Sequence, residues 1–316
     1  MSIDPGATVT PSPVGTTIAI GATVILLVAA AAGLPLSGST ALVAACGAIL
    51  AFGLPHGALD IELIRGWGTQ RRSFVPVLAV YLGIAAATAT AWLVAPVAAL
   101  AGFVVIAVMH FAEDWAAAGS RFLATGLGVA LIAASALYHR DAVAGIFVAL
   151  AGAPAAGVAD ALLLVAPVAL AIAAAGIVAM TVAHRFSDAA AATASLLALL
   201  VLPPLAGFAA FFCLFHSPRH FVGALAEARR WRVGRWAPVV VPVTGAALAI
   251  VTAIYVVHDR LALPQRLTAA TFMALAILTV PHMLAPVAVR RLSRSPRETL
   301  KKSFVVPHLP RASTSP

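Results

Sequence analysis

Phe215-His216-Ser217-Pro218-Arg219-His220-Phe221 stands near the end of a long apolar run that begins at Ala189. At 3.6 residues per turn, two histidines four apart share one helix face. That is a metal-ligand spacing, because a pair held by one helix needs only two more donors from neighbouring helices to close a site. The plainer reading gives one imidazole a helix end at the cytoplasmic surface and packs the other in the core. The surrounding run decides between them: it is a membrane segment, where ionisable side chains are costly and mark function.

The whole chain reads the same way. Of 316 residues, 62% are apolar and 10% charged, with a mean hydropathy of +1.03, whereas a soluble domain carries roughly 25% charged residues. The expected fold is all-α, a polytopic membrane helix bundle of about 8–10 transmembrane helices in the lipid bilayer. The net charge of +9 forms no basic face, since Lys and Arg gather after Val289 and at the ends of apolar runs. This is the positive-inside pattern, and it excludes nucleic-acid binding. Cys46 and Cys213 fall inside apolar segments and read as small core residues. The sequence has no CxxCH, Gly-rich phosphate loop, serine nucleophile elbow or nucleotide fingerprint, so no organic cofactor is expected.

Residues 1–15 are polar and Pro-rich without a basic n-region, which predicts a short disordered leader. Residues 16–290 read as a single transmembrane helical domain and 291–316 as a basic cytoplasmic tail. Apolar runs bounded by charge, Pro and Gly predict spans near 16–36, 40–64, 74–96, 99–118, 122–139, 159–184, 189–203, 205–228, 236–257 and 268–290. The short apolar piece 142–153 reads as re-entrant, and Pro203-Pro204 as either a tight turn or a kink. With ten spans, Arg65, Arg71, Arg72, Arg121, Arg185, Arg229, Arg230, Arg232 and Arg235 fall in inside loops, against Arg140, Arg260 and Arg266 outside. That bias predicts a multi-pass protein of the inner (plasma) membrane with both termini cytoplasmic.

On this layout the nine histidines separate. His139, His184 and His258 fall at helix ends and His308 in the tail, as interfacial or solvated groups. His56, His110, His216, His220 and His282 all lie inside spans, in one layer roughly 10–18 Å below the cytoplasmic surface at 1.5 Å per residue. Five imidazoles from four helices at one depth predict a shared metal site. Asp60 follows His56 by one turn, and Glu113 and Asp114 follow His110, so these carboxylates read either as groups orienting an imidazole or as interfacial charges paired with Arg65, Arg121 or Arg219. Gly53, Pro55 and Gly57 around His56, Pro218, and Pro281 before His282 place close approach and kinks beside the histidines. Imidazoles with nearby carboxylates suit Fe(II), Zn(II) or Cu(II), and disfavour calcium and magnesium. Pocket walls of Phe, Leu, Met and Trp point to a lipid-soluble substrate, with Phe208, Phe211, Phe212, Phe215 and Phe221 either ordinary core or the lining of a flat polyene.

At these residues the sequence resembles the Brp/Blh family of membrane β-carotene 15,15′-dioxygenases. The resemblance rests on Pro55-His56-Gly57-Ala58-Leu59-Asp60, His110-Phe111 with Asp114, His216-Ser217-Pro218-Arg219-His220 and Pro281-His282-Met283, and it covers roughly residues 40–290. It implies cleavage of β-carotene at its central double bond by O₂ to give two molecules of retinal, for which a retinal-accepting rhodopsin is the implied recipient. It also implies Fe(2+) as cofactor, with His56, His110, His216 and His220 as the iron ligands. His282, Asp60 and Asp114 then fall beside the metal as supporting groups, His282 also as a substrate-side group or an occasional fifth ligand. A transporter of transition metal ions or protons would use the same histidine layer, but it needs a polar route to both faces, and the outer halves of these spans are almost purely apolar. A b-type haem carrier is disfavoured by the single layer, although one haem between His110 and His282 fits the pattern. A di-iron desaturase would carry more histidine boxes.

Overall fold

The structure, a computed structural model, describes residues 13–58, 74–230 and 237–292, with side-chain surroundings for 14–54, 75–224 and 241–289. Among the described residues all regular structure is helical, and no strand is present. In lipid this is what the backbone requires, because a helix bonds its own N–H and C=O groups within one segment. Eleven α-helices follow in order: α1 (Pro13–Ala31), α2 (Ser39–Ala58), α3 (Phe74–Val94), α4 (Pro96–Ala112), α5 (Arg121–Ala151), α6 (Ala156–Val182), α7 (Phe186–Val201), α8 (Pro204–Phe211), α9 (Ser217–Arg230), α10 (Ala237–Val257) and α11 (Leu263–Leu292). Among the described residues six helical stretches are long and apolar enough to cross a membrane, and Ser39–Leu54, Phe186–Val201 and Val241–Val257 are shorter apolar helices. The all-α membrane bundle expected from composition is therefore what the chain builds. The leader before Pro13 and the tail beyond Leu292 lie outside the described residues.

Local sequence sets the helix ends. Pro96 and Pro204 open α4 and α8, where a missing N–H is one of the groups left over anyway. The Ser120 side chain accepts from the Leu123 N–H to cap α5. Inside the bundle, hydroxyls such as those of Thr193, Ser195 and Thr268 donate to carbonyls one turn back in their own helices, so they are satisfied without water.

The architecture rests on close helix approach. α5 and α6 form an antiparallel hairpin that turns at Gly152, whose φ of +80° is open to glycine. Gly126 of α5 meets Ile172 of α6, and Gly176 of α6 meets Leu127 of α5. On the other side of α5, Gly128 lies against the Val108 carbonyl and Ala112 of α4. Further along the hairpin Arg140 pairs with Asp160 at 2.7 Å. Helices α3 and α11 pack through Val77, Tyr81, Ala285 and Val289.

Three expectations change, and one open alternative is settled. The apolar piece 142–153 is no separate re-entrant segment: its residues to Ala151 form the second half of α5, which bends at His139 (φ −132°, ψ 34°) and continues. His139 accordingly lies inside a helix, not at its end. The run 205–228 is not one regular helix but α8, a π-helical turn at Phe212–His216, and α9. Pro203-Pro204 resolves as a tight turn: Leu202 and Pro203 are extended, and α8 folds back on α7 so closely that a Cβ on Gly207 would sit 2.7 Å from the Ala198 carbonyl oxygen.

Gly128→Ala is expected to destabilise the bundle by about 1–3 kcal/mol, since its methyl group meets backbone that cannot rotate away. Gly102→Ala, where no atom lies within 4 Å, should be neutral. Thermal unfolding of the detergent-solubilised variants measures both, and equal melting temperatures would contradict the close α4–α5 contact.

Candidate metal centre

Two interruptions of regular helix shape the site. α4 tightens after Ala112 into a 3₁₀ segment, Glu113–Ala118, with Trp115 off helical angles (φ −115°, ψ 26°). The tightening divides two adjacent acids: Asp114 turns inward with its side chain 3% exposed, while Glu113 is 59% exposed. The second interruption is the π-helical turn at Phe212–His216, a widening found often at functional sites. It falls directly before Ser217-Pro218, where Pro218 has no N–H for the preceding turn. His216 ends the widened turn fully buried, and His220 follows on α9.

These elements bring four imidazoles together. Ring centroids of His110 lie 4.7 Å from His216, 5.0 Å from His220 and 5.0 Å from His282; His216 and His220 are 4.4 Å apart. The donor atoms of His110, His220 and His282 all lie within 4.8 Å of one another. Asp114 spans two of the rings: its Oδ2 accepts from His216 Nδ1 at 2.7 Å and its Oδ1 from His220 Nε2 at 3.0 Å. An ionised carboxylate only accepts, so the protons sit on those two nitrogens, and His216 Nε2 and His220 Nδ1 carry the lone pairs.

The sequence-predicted residues distribute plainly. His110, His216 and His220 meet, His282 meets them, and Asp114 lies against His216 and His220. His56 belongs to the last turn of α2, but its side chain, like Asp60, Pro55 and Gly57, lies outside the described residues. His184 packs on Phe186, and His258 donates to the Ile254 carbonyl of its own helix. Among the described residues, Arg219 does not pair with the Asp114 carboxylate. Its guanidinium lies 5.0 Å over the Trp115 ring, meets the Asp114 backbone carbonyl at 3.4 Å, and reaches Asp188 at 4.0 Å. Asp188 in turn pairs with Arg185 at 3.0 Å. Trp115, Asp188 and Arg219 thus brace the histidine turn. The Ser217 hydroxyl ties the same turn to the Phe52 carbonyl of α2. Arg219 and Ser217 were visible inside the HSPRH motif, whereas nothing in the spacing pointed to Asp188.

An apolar cavity opens onto the cluster, lined at this end by His110 and His282. Of the five phenylalanines near the HxxxH pair, Phe208 and Phe212 line it, Phe211 and Phe215 are buried core, and Phe221 is at the surface. Phe103, Phe111, Phe147 and Phe272 add to the aromatic lining, and among the described residues neither Trp nor Met contributes. Gly53 faces Phe212 closely enough that a Cβ would lie 3.2 Å from the ring.

A multi-helix membrane bundle with buried imidazoles at the end of an apolar cavity defines a polytopic membrane protein with a candidate metal centre. Residues 47–286 match the family model described as beta-carotene 15,15′-dioxygenase, and the chain belongs to that family. No curated protein and no solved structure matches it.

Asp114→Asn puts an NH₂ group against one of the two imidazole N–H groups and so breaks one of the two hydrogen bonds. Metal affinity is expected to fall roughly 10–100-fold, as when a ligand loses its orienting partner. Metal retained against graded chelator measures this, and unchanged retention would show that the carboxylate does not orient the donors.

Proposed function

We propose that the protein cleaves β-carotene at its central 15,15′ double bond with O₂, giving two molecules of all-trans-retinal. The observation that carries this reading is the apolar cavity ending on the imidazole cluster, in a chain of the beta-carotene dioxygenase family. The donor set fits ferrous iron. Nitrogens at roughly 2.1 Å from one ion stand up to about 4.2 Å apart across it, so a trio within 4.8 Å reaches a common ion with small shifts. His110, His216 and His220 would hold iron with His56, as the family resemblance implies; the trio whose donors already lie together is His110, His220 and His282, which supports counting His282 among the ligands, while His216 groups with Asp114 and His220. Bound Fe(2+) would supply the electrons that activate O₂.

The remaining work falls to the protein. The cavity walls bind and align the polyene, with Phe208 and Phe212 among the aromatic side chains that line them. Hydrocarbon lining excludes water from the reacting bond. Asp114 keeps the protons on His216 Nδ1 and His220 Nε2. No side chain needs to move a proton, because the net reaction places one oxygen atom of O₂ on each carbon of the broken double bond. Retinal remains membrane-soluble, available to a rhodopsin, and the loop charges favour a plasma-membrane protein with both termini cytoplasmic. A metal or proton transporter would need a polar path, which the hydrocarbon length of this cavity does not offer.

In a bacterium that accumulates β-carotene, expression should convert the carotene to retinal, and His216→Ala should abolish conversion. Intact carotene beside folded, iron-loaded protein would overturn the reading. His282→Ala separately tests the extra donor: iron content measured by mass spectrometry should fall at least several-fold, and full occupancy would remove His282 from the ligands.

A further inference from the structure

The cavity has a direction. Along α4 it runs from His110 to Leu100, and along α11 from His282 to Phe272, ten residues in each case. At 1.5 Å per residue both paths measure about 15 Å. The two helices run the same way here, because Leu100 packs in one cluster with Ala269 and Met273. One end therefore carries imidazoles and the other is lined mainly by hydrocarbon, with the Ser135 hydroxyl of the lining donating to the Leu199 carbonyl.

The hydrocarbon end is closed by the second half of α5. Val143, Ile146, Phe147 and Leu150 share one helix face at i, i+3, i+4 and i+7, and all four line the cavity. The bend at His139 redirects this half-helix, and Leu150 comes to rest against the cluster that holds Leu100. Leu100 and Leu150 are 1% and 5% exposed at that end.

We infer that this end wall is a ruler. Resting on the proposed carotene cleavage, the inference is that Leu100, Phe147 and Leu150 stop one end of the polyene and thereby fix which double bond lies at the histidines. The depth is close to half the length of an extended β-carotene, so a chain pushed against the wall presents its central bond. The side walls align the chain, while the end wall sets its register. Each cleavage adds one O₂ across one C=C, with one oxygen atom in each carbonyl, so a displaced register yields two unequal carbonyl fragments whose carbons still sum to those of β-carotene.

The test is product analysis in the β-carotene-accumulating host. Leu→Ala retracts the wall by the length of an isopropyl group, comparable to the spacing of neighbouring double bonds. The Leu100→Ala/Leu150→Ala double variant should therefore add to retinal an unequal pair, one fragment longer and one shorter, shifted by one double bond. Phe147→Ala, at a partly exposed position, should give the same shift and serves if the double variant does not fold. Leu162→Ala removes a buried side chain of α6 that does not line the cavity, and should yield retinal alone. Retinal as the sole product of both end-wall variants would overturn the ruler, as would the same unequal pair from Leu162→Ala. So would no product from either end-wall variant with iron retained at the wild-type level. Wild-type protein that leaves carotene intact fails differently: it removes the functional reading on which the ruler depends.

Discussion

The rest of the centre depends on the Asp114 carboxylate, buried between two imidazoles in a bundle with little else to solvate it. An isolated charge at this depth costs several kcal/mol, and the cost is met only by donors held in place. His216 Nδ1 and His220 Nε2 are those donors, at 2.7 and 3.0 Å. Satisfying the carboxylate fixes the rotation and tautomer of both rings at once. The same contact couples α9 to the 3₁₀ segment after α4, so the histidine pair is positioned by a helix it does not belong to.

Departures from regular helix gather where the chemistry is. The 3₁₀ segment after α4 turns Asp114 in and Glu113 out. The π-helical turn carries His216, and Pro281 stands beside His282 inside α11. The bend at His139 serves the opposite end, leaning the second half of α5 over the cavity. Elsewhere the bundle is plain, held by small residues that let Gly128 and Gly207 approach neighbouring backbone. A rigid frame with local irregularities is an economical way to hold several donors at one point while leaving an open hydrocarbon space beside them.

Much of this is legible in the sequence alone. The helical fold follows from composition, and the histidine layer follows from counting residues to helix ends, because a straight helix converts sequence distance into depth. His110, His216, His220 and His282 meet as that arithmetic predicts. Depth is only one coordinate, however. It carries no rotation about the helix axis, so it did not show that Asp114 rather than Glu113 faces inward, or that Arg219 points at Trp115 and Asp188. It also fails where a helix bends: Arg140 and the apolar residues after it read as a loop and a re-entrant piece, whereas α5 passes through His139 and continues. The aromatic residues divided between core and cavity for the same reason, since which face of α8 meets α2 and α11 is decided by tertiary packing.

The central claim is that one site both binds ferrous iron and meets a carotene in the adjoining cavity. Nitric oxide added anaerobically to the purified, iron-loaded protein gives an electron paramagnetic resonance signal that reports the iron and its surroundings. The account predicts a strong ferrous–nitrosyl signal that changes shape when β-carotene is added and is lost in His110→Ala. A signal indifferent to β-carotene, or one that survives His110→Ala unchanged, would contradict it.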